Sequence, residues 1–500
     1  MGSQTESILL KNAVLCLEGR DFDNALPLLH KARGLNPDNP DILRLLAVIA
    51  AMKFDYIHAL QGIDECLNLA PNNGIAHSNR GNILKELGRH EEALIAFDMA
   101  IELLPAYAEA YCNKGNVLQE LYRYEDALNW YDKAIALQPS YAEAYSNKGN
   151  ALGLLHRHKE AMQCYDKATA INPEYVDAYW HKALSQLPDG EFQSGWENYE
   201  ARWFKSHAAK LLYSQIPRLE SLKDLSGKRI LIWSEQGFGD SIQFCRYIKL
   251  LSDQGAEVTF VVPNPLMNVL SSLKAYCILV STVDNQAQFD YQSPLLSLPL
   301  VFGTTLESIP VQSPYLFSNP ENRKAFEEQF KKTQNLKVGV IWNGGFRAEH
   351  PELWAVNKRR NIDLEQISKL KDTPGVDFYS LQKGEPAEAQ FLARKDELWP
   401  NIVNCAPLLN DFSDTAALME CLDLIISVDT SSAHLAGALG RSVWILNRYD
   451  SCWRWLRGRT DSPWYPTATI YQQTAPGDWD GVIEKVKSDL GVLAKSHLLR

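Results

Sequence analysis

The chain has 500 residues, 46% of them hydrophobic and 22% charged, with a net charge of -11. This composition excludes a disordered or fibrous chain, and its acidic balance argues against a protein that coats nucleic acid. No uncharged apolar run reaches the ~18 residues of a membrane-spanning helix, and the length predicts about three domains. The N-terminus MGSQTESILLKNAVLCLEG lacks the charged, apolar and small-residue order of a secretory leader. Gly2 opens a myristoylation pattern that Glu6 breaks. The nine cysteines (Cys16, Cys66, Cys112, Cys164, Cys245, Cys277, Cys405, Cys421 and Cys452) include no CxxC pair. A reducing, cytoplasmic setting is expected, without a disulfide framework or a zinc site.

A 34-residue period governs the first third. Pro37, Pro71, Pro105, Pro139 and Pro173 keep it. So do three small-residue columns: Ala25, Ala59, Ala93, Ala127 and Ala161; Ala32, Cys66, Ala100, Ala134 and Ala168; and Ala13, Ala47, Gly81, Gly115 and Gly149. Phe97, Tyr131 and Tyr165 add an aromatic column. Small residues where two helices approach, closed by a proline at this period, define a tetratricopeptide (TPR) repeat. Five repeats run from about residue 6 to 175. A degenerate sixth, with Gly195 and Tyr199 in register, is expected to cap an array spanning 1–205.

The first helices of such repeats line a concave face. Asn79, Asn113 and Asn147 recur at one position there, and Asn82, Asn116 and Asn150 three residues on. Positions i and i+3 share a helix face. A row of carboxamides offers donors and acceptors to an extended acceptor peptide, or joins neighbouring helices. The rows resemble the asparagine ladder of the O-GlcNAc transferase family.

Residues 206–226 read as a linker. The pattern then becomes α/β. KRILIW (228–233) predicts a buried parallel strand, SIQFCRYIKLLSDQG a helix and EVTFVVP (257–263) a second strand. The same grammar restarts at LKVGVIWNGG (336–345) and continues through NIDLEQISKL, DFYSLQKG, TAALMECL, LIISVDTSSAHLAGALG and RSVWILN. Two strand–helix series, each with its own glycine-bearing turn, predict two Rossmann-like lobes over 227–330 and 331–500. The last helix, near 478–490, is a candidate to cross back onto the first lobe. Ligands of such sheets sit beyond the carboxyl ends of the strands.

Three turns are candidates for that position. Gly237-Phe238-Gly239-Asp240 begins like a dinucleotide fingerprint, but Ile242 takes the third glycine position. Asp240 can face a ligand as a carboxylate or cap the following helix. Asn343-Gly344-Gly345 permits close backbone approach, or is an ordinary tight turn. Asp429-Thr430-Ser431-Ser432, followed by His434, offers hydroxyls and free N–H groups at a helix start, which suits an anion. Arg359, Arg360 and Lys383 are the candidate countercharges. The segment from Asp450 through Trp453, Arg454 and Trp455, with Trp464, is read as a wall of the site or as packing. The Asp-x-Asp of Asp478 and Asp480 precedes the last helix and reads as a cap, so no metal site is expected.

SEQGFGDSIQFCRY, SPLLSLPLVFGTTLESIP, SLQKG, DTAALMECLDLIISVDTSSAHLAGALGRSVWIL and WRWLRGRTDSPWYP resemble the glycosyltransferase family 9-type domain that follows TPR repeats in bacterial proteins. The similarity extends to lipopolysaccharide heptosyltransferases and, in architecture, to O-GlcNAc transferase. It implies an α-solenoid followed by a GT-B fold, with an acceptor-side lobe at 227–330 and a nucleotide-sugar side at 331–500. It also implies metal-independent, inverting transfer from a nucleotide-sugar donor, with no cofactor. By that resemblance Asp240 matches the proposed base. Asp429 through His434 match the diphosphate-binding segment, and Arg359 or Arg360 a donor contact. The expected activity is sugar transfer to a hydroxyl of a protein acceptor held by the TPR face. The alternatives are a non-catalytic scaffold that binds a nucleotide sugar and a transferase acting on a saccharide or lipid-linked glycan. A homo-oligomer is a further possible partner state.

Overall fold

The computed structural model describes residues 2–19, 21–205, 211–284, 288–329, 333–345 and 354–499. Part of the expected linker, 206–210, lies outside the described residues. Contacts divide the chain into two units, Met1–Lys182 and Ala183–Arg500.

The first unit is a helical solenoid. Its helices are α1 (Gly2–Glu18), α2 (Phe22–Leu35), α3 (Pro40–Met52), α4 (Tyr56–Leu69), α5 (Gly74–Glu86), α6 (His90–Leu103), α7 (Ala108–Glu120), α8 (Tyr124–Leu137), α9 (Ala142–Leu154), α10 (His158–Ile171) and α11 (Val176–Gln186), which runs into the second unit. The alanine columns are buried where paired helices meet. Gly115 lies against the ring of Tyr131, where a Cβ would come 2.6 Å from Cε1. The turns within the second to fifth repeats each hold a left-handed residue. Phe54, Gly88, Tyr122 and His156 take this place, with φ of 64°, 71°, 61° and 59°, and only glycine adopts that conformation without steric cost. Asp21, Asn39, Asp55 and Asn73 cap the early helices with their side chains. Later repeats put arginine before the second helix, where Arg89, Arg123 and Arg157 pair with Glu92, Asp126 and Glu160.

The second unit opens with α12 (Phe192–Tyr199), then β1 (Arg229–Trp233), α13 (Phe238–Phe244), α14 (Arg246–Asp253), β2 (Glu257–Val261), β3 (Cys277–Val280), β4 (Tyr291–Pro294), α15 (Leu298–Val301) and α16 (Pro320–Gln329). A second series follows: β5 (Leu336–Ile341), α17 (Trp354–Arg360), α18 (Leu364–Ile367), β6 (Val376–Ser380), α19 (Ala387–Leu398), β7 (Val403–Asn404), α20 (Phe412–Glu420), β8 (Leu424–Val428), α21 (Ser431–Ala438), β9 (Val443–Asn447), β10 (Ala468–Gln472) and α22 (Trp479–Leu498). Both sheets are parallel. The first has the order β3-β2-β1-β4 and the second β10-β9-β8-β5-β6-β7. Counted within its own series, the second sheet has the doubly wound order 3-2-1-4-5-6, whose direction reverses between β5 and β8.

Two observations bear on the expected bounds. Residues 183–203 group with the second unit, because Trp196 and Tyr199 pack on Trp453, and Trp196 also meets Phe244. The last helix stays on the second sheet. Trp479, Ile483, Val486 and Leu490 of α22 share a core with Val338, Val340, Ile426 and Val428, so its apolar face is already covered.

Candidate functional site

The switch point of the second sheet brings two of the three turns together. β5 leads into Asn343-Gly344, and its neighbour β8 leads into Asp429-Thr430. Arg360, at the end of α17, ties them. Its Nη1 donates to the Asp429 carbonyl at 3.0 Å and its Nη2 to Asn357 Oδ1 at 2.6 Å. The guanidinium lies where a Cβ on Gly344 would stand, so a side chain there would displace Arg360 from this position. Gly344 N–H donates to Asn361 Oδ1 at 2.9 Å. Gln382 braces the loop from β6, accepting from Trp342 and Asn343 N–H at 3.1 and 2.9 Å and donating to the Asn343 carbonyl. Gly345 lies beyond these contacts, at the edge of the described residues.

Thr430 is the residue before α21, and its side chain makes no cap. Its Oγ1 meets Ser427 Oγ at 3.3 Å. Ser431 and Ser432, half-buried, form the first turn. The start of α21 thus carries two serine hydroxyls in its first turn and, through the Asp429 carbonyl, the Arg360 guanidinium. Burial would raise the Asp429 carboxyl, but His434, Arg360 and Arg448 hold it below the usual carboxylate range.

His434 is buried. Its ring stacks on Trp455 at 4.9 Å, Nδ1 meets Tyr465 Oη at 3.0 Å, and Nε2 lies 3.9 Å from Asp429 Oδ1. Burial, reinforced by Arg454 and Arg246 against Asp429 and Asp240, pushes its pKa down to about 4. At neutral pH the imidazole is uncharged.

The first turn reaches the same place from the first sheet. α13 packs against α21. A Cβ on Gly239 would stand 2.8 Å from His434 Cδ2 and 3.4 Å from Ser431 Cα. The Asp240 carboxylate has two partners. Oδ2 accepts from Gly237 N–H at 2.9 Å, which caps α13, and Oδ1 accepts from Arg454 Nη2. Arg454 in turn lies over the Trp453 ring at 4.2 Å. Trp453, Trp455 and Trp464 are buried, so this segment packs and carries Arg454 to Asp240.

Other candidates lie to the side. Arg359 donates to Asp450 Oδ2 at 3.0 Å, which Arg448 also approaches at 3.3 Å. Lys383 donates to the Ala406 carbonyl at 3.0 Å. Asp478 caps α22 through Gly481 N–H, and Asp480 pairs with Lys369. Among the described residues no cluster of His, Cys, Asp and Glu is arranged to hold a metal ion.

Two groups escaped the sequence reading. Gln382 and Asn361 brace the Asn343 turn, and a lone amide beside a glycine turn is a weak signal. The other is an ion network at the switch point of the first sheet. Glu235, just after β1, receives Arg202 at 2.8 and 3.0 Å and Leu296 N–H at 3.0 Å. Arg202 also binds Glu200 at 2.7 Å and Ser297 at 2.8 Å, and Arg218 joins through Glu200. These side chains occupy the position where a ligand of the first sheet would sit.

In the first unit the carboxamide rows are partly used by the scaffold. Asn147 Nδ2 donates to Asn116 Oδ1 at 3.0 Å, and Tyr131 Oη donates to the same oxygen at 2.9 Å. Asn79, Asn82, Asn113 and Asn150 lie half-buried at the matching positions.

TPR repeat profiles match residues 81–121 and 123–155, and tetratricopeptide repeat profiles match 10–56 and 142–175. The first unit is a TPR protein-interaction array. Over 340 residues, 63% of this chain, the sequence is 27% identical to Protein FlbA of Caulobacter vibrioides. The chain covers 55% of FlbA, about half that relative's length. A thermophilic TPR protein from Thermus thermophilus is 23% identical, with a TM-score of 0.34, over 36% of this chain and 99% of that one. The pilus biogenesis factor PilW is 19% identical, with a TM-score of 0.37, over 41% and 96%. MamA from Desulfovibrio magneticus is 22% identical, with a TM-score of 0.30, over 34% and 97%. Among the described residues no helix is long and apolar enough to cross a membrane.

Proposed function

We propose that the second unit is a GT-B glycosyltransferase that moves a sugar, with inversion, from a nucleotide-sugar donor to a hydroxyl of a protein recruited by the TPR array. One observation carries the reading. At the switch point of a doubly wound sheet, Arg360 joins a glycine turn to the start of α21, and the Gly239-Asp240 turn packs against the same helix. The donor diphosphate takes a seat made by the N–H groups that open α21 after Thr430, the Ser431 and Ser432 hydroxyls and Arg360, whose positive charge stabilises the leaving group without a metal. Asp240 accepts the proton of the attacking hydroxyl as general base. It does so after exchanging Arg454 for the acceptor, and the freed guanidinium turns to the departing diphosphate.

The test is mass addition to candidate acceptor proteins across a panel of nucleotide sugars. Asp240→Asn is expected to lower kcat by roughly 10²–10⁴-fold, the usual contribution of a general base. Unchanged turnover in that variant would remove Asp240 from the role.

A second reading rests on the same carboxylate. Both oxygens of Asp240 are engaged, one by the backbone and one by Arg454. A scaffold that binds a nucleotide sugar without turning it over would keep them so. Donor binding with no transfer to any acceptor selects that reading.

A further inference from the structure

The face shared by the first helices of successive repeats carries more than carboxamides. α3, α5, α7 and α9 touch one another in sequence, so their outward stripes form one surface. On α7 the stripe reads Glu109, Asn113, Asn116, Glu120, at i, i+4, i+7 and i+11, which is one side of a helix. Two acidic columns frame the amide rows. One is Asp41, Glu109, Glu143 and Asp177, kept by the 34-residue period and interrupted by Ile75. The other is Glu86 and Glu120.

Helix stabilisation explains only the first column. Asp41, Glu109 and Glu143 sit in the first turn of their helices, where a carboxylate meets the positive end of the dipole. Glu86 and Glu120 are the last residues of α5 and α7, where the same dipole opposes them.

The scaffold balances its other charges elsewhere. Arg80, Lys114, Lys148 and Lys182 each bind the aspartate sixteen residues earlier, on the preceding helix: Asp64, Asp98, Asp132 and Asp166. On the shared face, Arg44 lies near Asp41 at 3.7 Å, Lys85 pairs with Glu86 at 2.9 Å, and His90 approaches Glu120 at 3.5 Å. Tyr107 Oη donates to Glu109 at 2.8 Å. The carboxylates also crowd one another. Burial raises the Glu143 carboxyl, and Glu109 and Asp177 raise it further, while Lys85 opposes. Burial likewise raises Glu120, with Glu86 adding to it against Lys85 and His90.

We propose that this face takes an extended polypeptide segment bearing lysine or arginine side chains, which bridge the two carboxylate columns while its backbone lies over the amide rows. The inference deepens the reading of the array as the acceptor-binding element and rests on it. Cationic side chains relieve the crowding of the columns, and the amides left over from the Asn116–Asn147 brace serve the backbone. Charge, not backbone alone, then selects the partner.

The experiment is fluorescence anisotropy of the full chain with three labelled peptides of equal length: one rich in Lys and Arg, one with those residues changed to Glu, and one neutral. The basic peptide is expected to bind, more tightly at low salt. Glu109→Gln/Glu143→Gln is expected to weaken it by roughly tenfold while leaving the neutral peptide unchanged. These substitutions keep shape; they remove like-charge crowding and also the first-turn dipole contribution, so circular dichroism and the melting temperature of the variant are read alongside to confirm that it is folded. Equal binding of the neutral peptide, or no effect of the variant on the basic one, overturns the charge assignment and leaves the array's peptide role standing. Failure of all three to bind overturns both.

Discussion

Arg454 donates to Asp240 across 214 positions of sequence, and the two side chains are 12% and 13% exposed. The contact joins the segment after β9 to the first glycine turn, so it locks the position of the carboxylate on which the proposed chemistry turns. Removing one partner of a buried pair strands the other charge, at a cost of up to ~3–5 kcal/mol. Arg454→Met is therefore expected to lower stability clearly. The double variant Arg454→Met/Asp240→Asn is expected to recover much of the loss. Chemical denaturation of the four proteins measures the coupling, and strictly additive effects would show that the contact carries no energy.

His434 gives a pH signature. Its folded pKa lies near 4, against ~6.5 in an unfolded chain. Above that upper value both states are neutral and the group contributes nothing. As pH falls from ~6.5 towards 4, the unfolded chain takes the proton and the folded one refuses it. Stability is therefore lost through this window, by up to ~1.4 kcal/mol per pH unit. His434→Gln is expected to flatten that part of the curve. Melting temperatures of both proteins across the window check it, and parallel curves would place the imidazole in a wetter site.

The aromatic column of the solenoid depends on its glycines. A Cβ at residue 115 would stand 2.6 Å from Tyr131 Cε1, and that ring is fully buried with its hydroxyl bound to Asn116. Gly115→Ala is expected to destabilise the array by ~1–3 kcal/mol through overpacking, outweighing the ~1 kcal/mol by which alanine favours a helix. Gly115→Ala/Tyr131→Leu should recover part of it. Denaturant midpoints measure the effect. A more stable Gly115→Ala would show that the ring has room to move.

How much of this was legible in the sequence depends on the range of the interaction. The repeats were legible because the period records contacts between neighbouring helices, as in the alanine columns and the Gly115–Tyr131 pair. The strands were legible because KRILIW and LIISV are buried on both faces and carry no alternation. The three turns were legible as glycine- or serine-bearing segments after strands, and the strand order explains why the Asn343 and Asp429 turns lie side by side. The Arg202–Glu235 network was not legible. Nothing local in the sequence says that a charge from the first stretch of the second unit fills the end of β1. The grouping of residues 183–203 with the second unit has a related cause. Gly195 and Tyr199 keep the repeat register, but Trp196 and Tyr199 pack on Trp453, a partner more than two hundred residues away. The contact between Arg454 and Asp240 is of the same kind, since Arg454 is placed by the packing of Trp453 and Trp455.

The central claim is that the junction of Arg360, Gly344 and the start of α21 holds a nucleoside diphosphate. The most direct measurement is the melting temperature of the full chain with UDP, GDP, ADP, CDP and dTDP in turn, without added metal, for the wild type and for Arg360→Ala. One nucleotide at ~100 times its dissociation constant should stabilise the wild type by roughly 2.7 kcal/mol and should lose most of that effect in the variant. No shift with any nucleotide, or the same shift in both proteins, would contradict the claim.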